Sequence, residues 1–288
     1  VCGDLILGSW LGWFAKTWKA SHEVQSFKNC SQTVDYLLLN TPQLLLNAYF
    51  ISLSSYVLAF GFHLLRWLRT ERWFALIGLG ANVAFLVLIH RISGHFPVFN
   101  LFESFLMATL VLASLGLTWA RSGHTLPDVR TWVYLEILIL LAITLLFPKK
   151  LSPYLYDHDD PFIILFQGLR VVAMSVMLFS SAQYVQSRIH KKWGLVRNDH
   201  GRLGRNFLLL SATLFLAAEY VGIIWCQRGW GDFWMWNEGF FQSTLIVLYL
   251  MLAFHLPGRG SRAEGIRSLV GSMSGFVMLS VMVIRSIY

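Results

Sequence analysis

The stretch 228–256 reads RGWGDFWMWNEGFFQSTLIVLYLMLAFHL, with Trp230, Trp234 and Trp236 near its head and His255 near its tail. Trp230, Gly231, Phe233, Trp234, Trp236 and Asn237 crowd into a glycine-containing loop. That arrangement can present flat π faces to a flat apolar ligand, and a porphyrin or a quinone ring suits such a shelf. The alternative is an ordinary aromatic belt, because an indole has an apolar body and an N–H that seeks water at the membrane interface. His255 closes the apolar run after the shelf, and His63 closes an earlier one. Ionisable side chains inside membrane spans are costly, so they are functional candidates by default. Neutral imidazole is also a common axial ligand of haem iron. If the two runs point the same way across the membrane, His63 and His255 share a depth, as a bis-histidine b-type haem requires. Against that stands snorkelling of each imidazole to the headgroups.

Other charged groups fall within apolar runs. Arg170 is flanked by apolar residues, as are Glu219, Glu136 and Glu103. An arginine at that depth needs a partner. Either Arg170 pairs with Glu219 between helices, or it holds a carboxylate of a bound ligand by charge-assisted hydrogen bonds. His90, His95 and His158 group on one side of the membrane, where solvated or interfacial positions explain each singly. The acidic loop YDHDDP could imitate a metal site around His158, but a solvated loop has the same composition. His124, His190 and His200 fall in cationic loops and read as solvated.

The elements that must position these residues follow from composition. Of the 288 residues, 56% are hydrophobic and only 13% charged, with a mean hydropathy of +0.57. A soluble domain of this size could not furnish a polar surface from so few polar residues, so the chain is read as integral to a membrane. Apolar runs at 44–65, 73–90, 101–119, 132–147, 162–185, 207–226, 240–256 and 268–287 predict eight spans. Helices are the expected form, because backbone groups in lipid must be satisfied within each span. The expected fold class is therefore all-α, a polytopic transmembrane helix bundle of about eight spans.

Alternate loops differ in charge. One set carries Arg66, Arg69, Arg72, Arg121 and Arg130, a cluster between Arg188 and Arg205, and Arg259, Arg262 and Arg267; the other has only Arg91, Lys149, Lys150 and Arg228. The first set is predicted to be cytoplasmic, which puts both termini on the outer side. The net charge of +8 is then explained by cationic loops, and no nucleic-acid partner is expected. Residues 1–40 form an outer segment in which LILGSWLGWFAKTWKA could lie flat in the interface against lipid or dock a partner; residues 41–288 form the membrane domain. Cys2 and Cys30 share the outer segment and could bridge or stay as thiols. No CxxCH occurs, so covalent haem attachment to this chain is not expected. No Walker A, dinucleotide fingerprint or nucleophile elbow appears, and GLGAN at 78–82 reads as close helix packing.

WGDFWMWN, followed by an apolar helix ending in Phe-His, resembles the tryptophan-rich "WWD" signature of haem-handling proteins of cytochrome c maturation. It is most similar to the CcsA/ResC branch, the System II cytochrome c synthases. Aligned without gaps, Trp230, Gly231, Trp234, Trp236 and His255 match that pattern. SGHFPVFNLFESF, which contains His95, resembles a second motif of the branch about 135 residues upstream. The resemblance covers residues 41–288. It implies haem movement across a bacterial inner membrane or a thylakoid membrane and, with synthase activity, thioether attachment to apocytochrome c. It also implies a CcsB/ResB-like partner and a c-type cytochrome substrate.

On this reading His255 ligates the iron of a non-covalent haem b near the inner side, with His63 as a depth-based mate. Trp230, Trp234 and Trp236 line the outer pocket, and His95 and Arg170 are further cofactor-binding candidates. Several positions depart from the family. Ala173 stands where an outer histidine is expected before the motif, Arg285 where one is expected near the end, and Asn237 where the motif has aspartate. Without those histidines the outer haem loses both axial ligands, which leaves synthase activity open. The alternative is a repurposed CcsA-like membrane subunit of a respiratory or multihaem cytochrome complex, holding haem, quinone or a partner subunit.

Overall fold

The computed structural model describes residues 31–120, 127–146, 160–193, 199–231, 238–256 and 261–287. The described residues form eight α-helices: α1 (Ser31–Leu64), α2 (Leu68–Ser93), α3 (Leu101–Trp119), α4 (Val129–Leu146), α5 (Pro161–Lys192), α6 (Asp199–Trp230), α7 (Glu238–His255) and α8 (Ser261–Ile287). Seven contain stretches long and apolar enough to cross a membrane, and Phe241–His255 within α7 is a shorter apolar helix. With 18 residues, α7 rises about 27 Å, slightly less than a bilayer core. The polytopic helical bundle expected from hydropathy is thus the fold. The chain divides into two compact units, Val1–Asn47 and Ala48–Tyr288, and the description below concerns the second. Residues 5–20, Cys2 and Cys30 lie outside the described residues.

Several helices begin earlier than their apolar runs. α2 starts at Leu68 rather than 73, α6 at Asp199 rather than 207, and α8 at Ser261 rather than 268. Hydropathy registers only the apolar part, whereas a helix can continue through polar turns that reach the interface and keep its backbone bonded. This extension brings Glu71 into the first turn of α2, where it takes part in the buried network described below.

α5 is the central element, packed against α3, α4, α6 and α8. Its sequence explains why: Ala173, Ser175, Ser180, Ser181 and Ala182 are all buried, and small side chains let neighbouring backbones approach. Their hydroxyls then bond neighbouring carbonyls, Ser175 to Ala108 at 3.2 Å and Ser180 to Gly204 at 2.7 Å. Tyr184 of α5 lies against α8 so closely that a Cβ on Gly271 would fall 2.5 Å from its ring. One turn along, a Cβ on Gly275 would meet Leu178 at 2.8 Å. α8 packs on α5 through this glycine pair.

Two motif segments are helix-start devices. Asn100 caps α3 by accepting from the Glu103 N–H at 2.7 Å, while the Glu103 carboxylate accepts from the Asn100 amide at 2.9 Å and the Phe99 N–H at 3.2 Å. This is a capping-box exchange, and it accounts for the Asn and Glu of FNLFE. Asp160 caps α5, accepting from the Phe162 N–H at 2.8 Å ahead of a first-turn proline.

Candidate functional site

At the end of the bundle where α1 ends and α4 begins, charged side chains are buried together. A three-residue turn joins α1 to α2, with Arg66 at φ 61°, in the left-handed region. The turn brings Glu71 back against His63. His63 is 1% exposed and Glu71 is fully buried. Imidazole Nδ1 lies 3.2 Å from Glu71 Oε2, and Nε2 lies 2.9 Å from Asp128 Oδ1. Thr131 Oγ1 is 3.1 Å from the same Nε2. Arg130 pairs with Glu71 Oε1 at 3.2 Å and donates from Nε to the Ala120 carbonyl at 2.9 Å. The Tyr134 hydroxyl donates to Glu71 Oε1 at 2.9 Å.

Both ring nitrogens of His63 face carboxylate oxygens, which accept and do not donate. Neither nitrogen is open to a metal in this arrangement. His63 joins the end of α1 to Glu71 of α2 and to Asp128, which immediately precedes α4. Arg130, assigned from the sequence to a cationic loop, is 6% exposed and belongs to this network.

His255 differs. It ends α7 with an exposed side chain, and its Nδ1 lies 2.8 Å from the Met251 carbonyl one turn back. A carbonyl can only accept, so Nδ1 is the donor, and in the neutral imidazole Nε2 keeps its lone pair. Metal-ligating histidines are commonly held in this way, one nitrogen donating to a carbonyl and the other left basic. Among the described residues no group of three or more His, Cys, Asp or Glu side chains could hold a metal ion.

Arg170 sits between α5, α6 and α7. Its Nε and Nη2 both reach Glu219 Oε1 at 2.9 Å, and Nη2 donates to Ser243 at 2.6 Å. The guanidinium lies 4.7 Å from the Phe166 ring centroid and 5.6 Å from that of Phe215. Of the two readings open from sequence, the Arg170–Glu219 pair is the one observed. The desolvated guanidinium is compensated by a carboxylate of opposite sign within hydrogen-bond reach.

At the opposite ends of α2 and α3, the GHFP turn buries His95 at 2% exposure. Its Nδ1 donates to the Phe96 carbonyl at 3.0 Å, and its own carbonyl accepts from His90 Nδ1 at 2.9 Å. Gly94 at φ 75° makes the turn possible by ending α2 in the left-handed conformation. Trp230 is the last residue of α6, and Trp234 and Trp236 lie outside the described residues. So do the indole of Trp230, Asn237, residues 157–159 of the acidic loop and the side chain of Arg285. Ala173 is fully buried in the packing of α5, where Ser211 donates to its carbonyl at 2.8 Å.

His190 and His200, expected in a solvated loop, instead sit at the end of α5 and the start of α6 with ring centroids 5.1 Å apart. Gln186 lies 2.7 Å from His190 Nε2, and Gln183 lies 2.9 Å from His200 Nδ1.

No family model matches the chain. It is 27% identical over 229 residues to Protein NrfI of Wolinella succinogenes, a match that spans 72% of this chain and 23% of that protein. It is 24% identical over 286 residues to the Cytochrome c biogenesis protein CcsA of Prochlorococcus marinus subsp. pastoris, covering 85% of this chain and 84% of the relative. With the protein of the same description from Chlamydomonas reinhardtii it shares 22% over 222 residues, 70% of this chain and 62% of that one. The chain is a divergent relative of the CcsA-type proteins.

Within this bundle, sequence reasoning singled out His255, His95 and Arg170 but missed Glu71, Asp128 and Arg130 as a set. The signal available was weak. TERW and LPDVR each place a carboxylate beside arginines, a pattern that equally describes a solvated loop. Only the approach of α2 and α4 at the same end of the bundle joins them.

Proposed function

We propose that this chain is a haem-handling membrane protein of cytochrome c maturation, with His255 as an axial ligand of a non-covalent b-type haem. Two findings support the reading: the similarity to CcsA proteins over most of the chain, and the exposed His255 at the end of α7, with Nδ1 engaged by the Met251 carbonyl. A bound haem would supply iron able to accept a nitrogen ligand and a flat apolar ring. The chain's contribution at that site is to fix the imidazole by its Met251 contact and to present Nε2 at the end of α7. Trp230, Trp234 and Trp236, just before α7, are proposed to bear the ring on its way to a c-type cytochrome. A CcsB/ResB-like partner is proposed to provide the second axial ligand, since His63 is held by Glu71 and Asp128. The arginine-rich loops then face the cytoplasm or its equivalent, in a bacterial inner membrane or a thylakoid membrane.

The test is optical. Protein purified together with its CcsB/ResB-like partner from a haem-replete host should show a low-spin, six-coordinate haem spectrum. His255→Gly should weaken it, and added imidazole should restore part of it. A His255→Gly spectrum identical to wild type would overturn the assignment.

A second reading has its own observation. Ala173, at the position of an expected outer histidine, is sealed inside helix packing, so that part of the chain offers no outer ligand. This favours a CcsA-like subunit of a respiratory or multihaem cytochrome complex. Co-expression with a CcsB-like partner in a maturation-deficient host separates the two, because only a synthase component yields holocytochrome c.

A further inference from the structure

Glu136 lies near the middle of the 18-residue α4, about 10 Å from its start. The residue is half-buried between the exposed Leu135 and Ile139, yet its Oε2 is buried without a hydrogen-bond partner. Its Oε1 is 2.7 Å from Ser181 Oγ of α5. The function proposed above makes no use of this carboxyl.

Among the described residues no cation pairs with Glu136. The charged groups on its own and neighbouring helices are engaged elsewhere. On α4 itself, Arg130 is paired with Glu71. On α1, His63 is held by Glu71 and Asp128. The ionisable side chain of α3 is Glu103, in the cap of that helix. On α5, Arg170 is paired with Glu219 and Lys191 with Glu264, and Arg188 reaches the Gly265 carbonyl. An ionised carboxylate without a counter-charge is costly inside a bilayer.

The proton count at Ser181 agrees. Its Oγ lies 2.7 Å from Glu136 Oε1 and 2.8 Å from the Leu178 carbonyl oxygen. A carbonyl only accepts, and a serine hydroxyl has one proton to give. With that proton on the Leu178 carbonyl, the short contact to Oε1 needs a second one, and the Glu136 carboxyl is the group that can carry it. α8 closes the other side of the hydroxyl, where a Cβ on Gly275 would lie 2.8 Å from Ser181 Oγ. That close approach leaves little space for a further donor.

We propose that Glu136 is an intramembrane proton-binding site: a neutral carboxylic acid that donates from Oε1 to Ser181, which donates in turn to the Leu178 carbonyl. Oε2 is then the carbonyl oxygen of a neutral acid, and leaving it unpaired costs far less than leaving a carboxylate oxygen unpaired. The site is separate from His255, which ends α7.

Infrared difference spectroscopy of the full chain in lipid nanodiscs tests this. Wild type minus Glu136→Gln should show the C=O stretch of a protonated carboxylic acid, above the amide I band and shifted down in D2O. Ser181→Ala should keep that band and move it to higher wavenumber, because the acid loses its acceptor. Carboxylate stretches in place of that band would overturn the proposal; they are expected if Ser181 shares its one proton between both acceptors. A band unmoved in Ser181→Ala would overturn it too. A second arm uses wild-type protein and dicyclohexylcarbodiimide, which is lipid-soluble. A protonated carboxyl adds its O–H across one C=N bond, and the O-acylisourea rearranges in an apolar site to an N-acylurea with no leaving group. Mass spectrometry should find one reagent mass added at Glu136, and none there in Glu136→Gln. Wild-type protein labelled at other carboxyls but not at Glu136 would overturn the assignment. Neither readout involves haem, so failure here is distinct from failure at His255.

Discussion

Replacing Glu71 by glutamine tests the buried network directly. The Glu71 carboxylate faces three donors: His63 at 3.2 Å, Arg130 at 3.2 Å and Tyr134 at 2.9 Å. Glutamine keeps an oxygen for the Tyr134 hydroxyl and nearly the same volume, so packing is preserved and the charge is removed. Arg130 then remains 6% exposed with no carboxylate at its Nη1. Breaking a buried ion pair by removing one partner costs about 3–5 kcal/mol, and the retained hydrogen bond recovers about 1 kcal/mol. The expected loss is therefore about 2–4 kcal/mol. SDS-driven unfolding in mixed micelles, followed by intrinsic fluorescence, reads it as a shift in midpoint at constant slope. Arg130→Met alone should also destabilise, because it strips Glu71 of its counter-charge and the Ala120 carbonyl of its donor. The double variant should lose less than the sum of the two, with a coupling energy of about 1–3 kcal/mol. Strict additivity, or a Glu71→Gln loss below about 0.5 kcal/mol, would refute the picture of Glu71 as the charged centre of the network.

Other substitutions probe separate parts of the argument. His63→Gln should destabilise the fold through loss of the Glu71 and Asp128 contacts yet leave any bound-haem spectrum intact; a lost spectrum in a folded variant would return His63 to the ligand set. Asn100→Ala removes the α3 cap and should cost about 1 kcal/mol, readable by the same unfolding assay. Gly271→Val places methyl groups into the Tyr184 ring and should cost at least about 1–3 kcal/mol from overpacking; pairing it with Tyr184→Ala should recover part of the loss, and an absence of recovery would deny that contact.

The helices were legible from the sequence because each depends mainly on its own run of residues. A helix satisfies its backbone internally, and a long apolar run has few other stable forms in lipid. His255 was equally legible, since its Nδ1 bond goes to Met251 one turn away in the same helix. The capping box is present in FNLFE as spacing alone, with Glu103 three residues after Asn100. The Arg170–Glu219 pair was one of two open readings; depth makes the two neighbours in principle, and helix packing joins them.

Sequence by itself determined that this is a helical membrane protein, roughly where its spans run, and that His255 ends one of them. Tertiary structure alone decided what each buried polar group faces. His63 and Asp128 are 65 residues apart in the chain and 2.9 Å apart in space. Arg170 of α5 and Ser243 of α7 are 73 residues apart in the chain and meet at 2.6 Å only because those helices pack together. Hydropathy reports how favourably a segment partitions into lipid, and that is a sum over its own residues. Pairing depends on which helix faces turn inward together, and that is settled by close packing of small residues such as Gly271 and Gly275 against Tyr184 and Leu178.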